Sequence, residues 1–206
     1  MKILFVNGSP KNTGSVSELL IEGLKQKLDS TNEYAILHAM KLDKQELIDG
    51  LKDADAVVFA FPLYVDALPS HLLRLLRDVK KEAGQINPKL TVYAVANNGF
   101  LEGQQNHLAL AVLRNFCVSA GISWGQGVGV GAGHMLHAAP VGHGPLKSLG
   151  AAFDALAVNI QRGASGDDIF TQPNFPKFLF KLFGNRVWIR YAKKNGLKRK
   201  DLYHRH

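Results

Sequence analysis

The feature that most constrains this chain is an alternation: five short apolar runs, separated by stretches whose apolar residues recur at helical spacing. The runs are Lys2 to Val6, Tyr34 to His38, Ala56 to Phe61, Leu90 to Ala96 and Ile122 to Val130. They are dense in Val, Ile, Ala and Phe and do not alternate cleanly with polar residues, the pattern of strands covered on both faces. Between them, Val16, Leu19, Leu20, Leu24 and Leu28 mark one helix, and Leu72, Leu75, Leu76 and Val79 after Pro69 mark another. Leu108, Val112, Leu113, Phe116 and Ala120, stopped by Gly121, give a third, and Leu146 to Gln161 a fourth. Such βα units, joined by right-handed crossovers, build a doubly wound α/β domain on a parallel sheet, here of five strands.

In a sheet of this kind ligands bind outside the carboxyl ends of the strands, near the point where strand order reverses. Three loops stand there: NGSPKNTGS after the first strand, FPLYVDALP after the third and NNGFLEGQ after the fourth. They converge if the strand order is 2-1-3-4-5. The first loop runs into Ser15-Val16-Ser17-Glu18, an S-x-x-E capping box. A helix N-terminus offers unpaired N–H groups and partial positive charge, and Ser9, Asn12, Thr13 and Ser15 add donors around it, so the turn suits an anion such as a phosphate. No lysine follows Gly14 as a Walker A loop requires, and G-x-G-x-x-G is absent. That leaves a single phosphate monoester, such as flavin mononucleotide (FMN), or an ordinary capped turn.

The other two loops favour the ligand. Pro62, Leu63, Tyr64 and Val65 supply an aromatic and apolar surface where a planar ring would stack, stiffened by Pro62 and Pro69. Asn97, Asn98, Gly99 and Phe100 offer backbone N–H groups beside a second aromatic, with Gly99 allowing close approach. Packing against the following helices is the competing use of Tyr64 and Phe100.

The segments FVNGSPKNTGSVSELL, FAFPLYVDALPSHLLRLL and ANNGFLEGQQNHLALAVLRNFCVSAGISWGQGVGVGAG resemble the flavodoxin-fold NAD(P)H-dependent FMN reductases and oxidoreductases, a broad group that includes the iron–sulfur flavoproteins. The likeness covers roughly residues 1 to 160. It implies a flavodoxin-like sheet in which Ser9, Asn12, Thr13, Gly14, Ser15 and Val16 bind the FMN phosphate. By the same resemblance Pro62, Leu63, Tyr64 and Val65 line the isoalloxazine, and Asn97, Asn98, Gly99 and Phe100 meet its pyrimidine side. A homodimer is expected, since active sites of the family are commonly completed by a second subunit. Two departures stand out: the cysteine cluster of the iron–sulfur members is missing, and the usual Gly-Asn-Thr reads Gly14-Ser15-Val16, with one hydroxyl fewer.

Other features take plainer readings. Gly125, Gly127, Gly129, Gly131 and Gly133 alternate through and past the fifth strand and imply a side-chain-free face approached by a helix or neighbouring chain, with Trp124, Gln126, Val128 and Val130 opposite. His134, His137 and His143 lack nearby carboxylates and make no convincing metal set. Asp66 and Glu102 read as solvated loop acids, and the lone Cys117 as core packing.

The formal charge of +8 suggests nucleic acid until it is located. Residues 1 to 170 hold 15 Lys/Arg against 16 Asp/Glu, whereas residues 171 to 206 hold 10 against Asp201 alone. The expected organisation is a near-neutral domain over residues 1–165 and a basic amphipathic helical extension over 166–206. In the extension Asn174 reads as a cap, and Phe175, Phe178, Leu179, Leu182 and Phe183 as an apolar face. After a break at Gly184, Trp188, Tyr191 and Ala192 repeat it, Asn195-Gly196 stops it, and the basic end LKRKDLYHRH follows. Packing of that face on the domain or a partner subunit competes with contact at an anionic membrane surface; nucleic acid is least supported, for want of a binding fold. With no membrane span or signal segment in the sequence, the chain is expected in the cytoplasm.

The functional expectation is an FMN-dependent oxidoreductase that takes hydride from NAD(P)H and reduces a small acceptor such as a quinone, a free flavin or another electrophile. The alternatives are a non-enzymatic electron carrier or flavin-binding docking module, and a tail-led binding protein whose domain has lost its cofactor. Carriers are usually strongly acidic, and a near-neutral domain with a basic tail speaks against one.

Overall fold

The computed structural model describes residues 1–137 and 139–203. Its elements run β1 (Lys2–Asn7), α1 (Val16–Lys25), β2 (Glu33–His38), α2 (Lys44–Asp53), β3 (Ala56–Pro62), α3 (Ser70–Lys80), β4 (Thr91–Asn97), α4 (His107–Ala120), β5 (Ser123–Val130), α5 (Lys147–Arg162), β6 (Ile169–Thr171) and α6 (Lys177–Lys194). The strands form one sheet, in the order β2-β1-β3-β4-β5-β6, with every neighbouring pair parallel. This is a flavodoxin-like α/β fold.

The expected five strands are six. β6 has only three residues and follows a polar stretch, so no strand-length apolar run announces it. Side-chain chemistry holds it in place: Gly127 N–H donates to Asp168 Oδ1 at 2.8 Å, Arg114 pairs with Asp168, and the Phe170 ring lies over Gly129, where an added Cβ would come 2.6 Å from Phe170 Cδ1. A helix between β2 and β3 also went unread. Asp43 and Glu46 close a capping box at its start, and Leu47, Ile48 and Leu51 bury its inner face.

Two apolar layers sandwich the sheet. Leu47, Leu51, Leu72, Leu76, Leu110 and Leu113 seat α2, α3 and α4 on one face, while Leu20, Leu24, Phe153, Leu156 and Ile160 seat α1 and α5 on the other. Each such side chain, fully withdrawn from water, stabilises the fold by ~1.5–3 kcal/mol. Cys117 lies in the first layer, and burial pushes its thiol pKa up to about 12.

The glycine-rich strand differs from its expected geometry. The β4–β5 register shifts between Val92 and Ala94, which pair with Trp124 and Gly127, so Gly125 and Gln126 together oppose Tyr93. The bulge puts Trp124 in the α4 layer, whereas Val128 and Val130 lie in the α1/α5 layer. The glycines therefore do not share one face. An added Cβ would sit 2.6 Å from Tyr93 Cζ at Gly125 and 2.9 Å from Leu110 Cδ1 at Gly127. What approaches the strand closely is side chains of this chain's own β4, α4 and β6, together with the backbone of Leu101 and Gly103 against Gly129 and Gly131.

Residues Met1–Pro173 make one compact unit and Asn174–His206 another. In the second, α6 starts after Pro176 without a side-chain cap and continues through Gly184. With the helical phase unbroken, the stripe of Phe178, Leu179, Leu182 and Phe183 runs on into Arg186, Arg190 and Lys193, and Trp188 and Tyr191 turn to the opposite side. Apolar and basic residues thus share each side of this helix. It stops at Asn195, with Gly196 at φ +75°. Of the basic end, His204, Arg205 and His206 lie outside the described residues. No helix among the described residues is long and apolar enough to cross a membrane.

Candidate functional site

The carboxyl ends of β1, β3 and β4 adjoin one another in the sheet, and backbone bonds tie the first two loops to the neighbouring strand. Gly8 N–H donates to Ala60 O at 2.8 Å, and Leu63 N–H to Asn97 O at 2.7 Å. Gly8 is required there, because a Cβ would lie 2.8 Å from Leu72 Cδ2 and 2.9 Å from Phe61 Cβ.

The first loop is internally braced. Asn7 Oδ1 accepts from Ser9 N–H at 3.0 Å, and Ser9 Oγ accepts from Lys11 N–H at 3.2 Å. Ser9 is buried, while Asn12, Thr13 and Gly14 stand exposed. Ser15 is the buried N-cap of α1, its Oγ accepting from Glu18 N–H at 3.1 Å. Val16 is the first helical residue. The box closes in the other direction through Glu18 Oε2, which accepts from Gly14 N–H at 2.7 Å and from Ser15 N–H at 3.4 Å.

In the second loop Pro62 ends β3 and Leu63 is half-buried. Tyr64 and Ala67 exchange both backbone bonds, N–H to O at 2.9 and 3.1 Å. Between them Val65 (φ 49°) and Asp66 (φ 60°) are both left-handed, the signature of a type I′ turn. A β-branched residue there is strained. Val65 is 99% exposed and Tyr64 49%, so this turn presents its side chains to solvent above the strand ends.

In the third loop Asn97 is buried and bridges elements, its Nδ2 donating to Phe61 O at 3.0 Å and to Ser17 Oγ of α1 at 3.4 Å. Asn98 is buried too, its Nδ2 donating to Glu102 O at 3.2 Å. Its Oδ1 is buried and has no partner. A buried acceptor left open is costly, ~1–3 kcal/mol. Gly99 and Phe100 are exposed.

Three contributors escaped the sequence reading. Glu18 was legible as part of the box, but not as a carboxylate held on the cradle's own N–H groups. The turn Gly133–His137 reaches the site at Gly133, which donates its N–H to Asn98 O at 2.8 Å; a Cβ there would lie 3.0 Å from Asn97 Oδ1 and 3.3 Å from Val16 Cγ1. His71, in the first turn of α3, has Nε2 buried without a partner. Burial holds the His71 pKa below the usual range, against a bond with the Gly8 backbone, and Arg74 adds to the depression. No sequence pattern marks either.

A family model described as Flavodoxin-like fold matches residues 1–79. No curated protein matches the chain. Among solved structures, one of an NADH:FMN oxidoreductase in its apo form superposes with TM-score 0.58 at 16% identity, covering 80% of this chain and 90% of that one. One of an NADPH-quinone reductase from P. pentosaceus gives 0.57 at 17%, covering 76% and 98%. An azoreductase from Bacillus anthracis str. Sterne gives 0.54 at 15%, covering 78% and 99%. At such identities these likenesses establish the fold.

Proposed function

We propose that the chain is an FMN-dependent oxidoreductase that takes hydride from NADH or NADPH and passes electrons to a small acceptor such as a quinone, a free flavin or a similar electrophile. One observation carries the reading: the three loops follow adjoining strands, the first two are bonded through their backbones to the neighbouring strand, and the third holds a buried acceptor with no partner, Asn98 Oδ1. Pro62, Leu63, Tyr64 and Val65 would line the ring of a flavin, and Asn97, Asn98, Gly99 and Phe100 would meet its polar edge. Ser9, Asn12, Thr13, Gly14, Ser15 and Val16 are the residues toward the phosphate. When bound, the flavin supplies hydride acceptance and donation. The protein holds the ring, shields it from water and sets its potential through Tyr64, Asn98 and Phe100, and no side chain of the chain need act as general acid. The NADH:FMN oxidoreductase and NADPH-quinone reductase among the structural neighbours support the same reading.

The protein is proposed to work in the cytoplasm as a homodimer, with the unit Met1–Pro173, which includes β6, as the FMN-binding domain in place of the expected boundary at 165, and the basic segment that follows either packed on protein or laid on an anionic membrane surface. Reconstitution with excess FMN, followed by oxidation assays with NADH and with NADPH, tests the function. A yellow protein with one FMN per chain that turns over either nicotinamide supports it. A colourless protein refutes it, and a yellow one inert to both nicotinamides is a flavin-binding carrier or docking module.

A further inference from the structure

We propose that Asn106 is the positioning residue of the third loop: its buried amide pins the end of that loop to β5 and so sets the edge that Asn98, Gly99 and Phe100 offer to a flavin. The inference rests on the flavin reading above.

Asn106 is fully buried and immediately precedes α4. Asn is a favoured helix cap, its side chain accepting from first-turn N–H groups, yet here it makes no such bond. The helix is entered instead from a 3-10 turn over Gly103–Asn106, and the amide is engaged with the loop. Its Nδ2 donates to Gly103 O at 2.9 Å and to Val130 O at 3.3 Å, while Oδ1, the atom a cap would use, is buried without a partner.

Val130 O also accepts from Asn98 N–H, at 3.0 Å. One carbonyl at the end of β5 therefore receives both the first and the last residue of the stretch 98–106. Between them Ala132 N–H donates to Phe100 O at 2.5 Å and Gly133 N–H to Asn98 O at 2.8 Å, and an added Cβ on Gly131 would come 2.7 Å from the Leu101 carbonyl carbon. The start and middle of the loop are thus held by backbone groups that most residues supply. Its end is held by a side chain, which only a donor of this reach supplies. Gly99 and Phe100, both exposed, lie on the span between these pins, so their place depends on all of them. Without the amide, a flavin would have to order the loop as it binds, and affinity falls.

The test compares the full-length parent with Asn106→Leu and Asn106→Ala, and with Ile48→Val, a core change on α2, as a control of lowered stability. Leu removes the two donated bonds together with the orphaned acceptor, so the fold is expected to survive it; Ala answers the same question with a smaller side chain. Amide hydrogen exchange without flavin should quicken about ten-fold over 98–106 in both variants, beyond any change in β4. By quenching of flavin fluorescence, both should bind FMN about ten-fold more weakly than the parent, and Ile48→Val as tightly as the parent. Exchange over 98–106 that rises no more than in β4, or a freed loop with FMN affinity within about two-fold of the parent's, would overturn the role of Asn106 and leave the flavin reading standing. A parent that binds no FMN would overturn the flavin reading and this inference with it.

Discussion

Replacing Val65 by Asn should stabilise the protein. Val65 sits at φ 49° in a two-residue turn and is 99% exposed, so its side chain contributes no burial that a substitution would forfeit. The left-handed conformation costs an L-residue ~1–2 kcal/mol, with β-branched side chains at the upper end. Asn adopts it readily, and Asn is a favoured residue in type I′ turns. The expected gain is therefore about 1 kcal/mol, or a Tm rise of about 2–4 °C for a protein of this size. Val65→Gly should gain less, because the extra freedom of Gly in the unfolded chain takes back ~0.5–1 kcal/mol. Val65→Ile keeps the branch and should change nothing. Urea unfolding at constant m-value reads all three. If Val65→Asn unfolds at the same or lower urea concentration than the parent, the turn is not strained as described. Loss of flavin affinity accompanying the gain in stability would show that the strained valine is kept for the ligand.

Tyr64→Ala should weaken FMN binding by ~1–3 kcal/mol if the half-exposed ring stacks on the flavin; unchanged affinity in a fluorescence titration would assign Tyr64 to the turn alone. Gly125→Ala drives a methyl into the Tyr93 ring and should cost ~1–3 kcal/mol in urea, so parental stability would mean that the ring yields. Burial depresses the pKa of both His71 and His134, so each is neutral in the folded protein and takes up a proton more readily when unfolded. Their contribution is complete above ~6.5 and is lost as pH falls through the folded values. The urea midpoint should drop between pH 7 and pH 5, less steeply in His71→Asn, and a flat profile would contradict this. Finally, apolar and basic residues mix around α6, which disfavours one-sided seating on a bilayer. Full-length protein should therefore stay off anionic liposomes in flotation, and salt-sensitive flotation lost on truncation after Pro173 would reverse that conclusion.

The first five strands and five of the six helices were legible because a buried parallel strand and an amphipathic helix each leave a local pattern in the apolar residues. β6 was not, since its place depends on Asp168 reaching Gly127 N–H and Arg114, bonds between residues far apart in sequence. The bulge at Gly125 escaped for a related reason: two-residue periodicity assigns faces only while register is unbroken, and the shift opposite Tyr93 leaves no local signature. In the tail, Gly184 reads as a break, yet α6 runs through it. Glycine lowers helix stability by ~1 kcal/mol without forbidding the helix, and the unbroken phase then changed which residues share a side. At the candidate site the donor types were readable, but donors and acceptors are counted only in three dimensions, where Glu18 uses what Gly14 offers and Asn98 Oδ1 is left over.

The single thiol turns this chain into its own opening gauge. Cys117 is fully buried in the layer beneath α4, and its proton is held to about pH 12, so thiol reagents have neither access nor a thiolate to attack while α4 stays on the sheet. Each labelling event therefore reports an excursion in which that helix has left its seat, and the labelling rate under native conditions reads the free energy of that excursion with no engineered probe. Compared with and without flavin, the same rate would tell whether a ligand at the strand ends clamps a helix whose cysteine lies one sheet layer away.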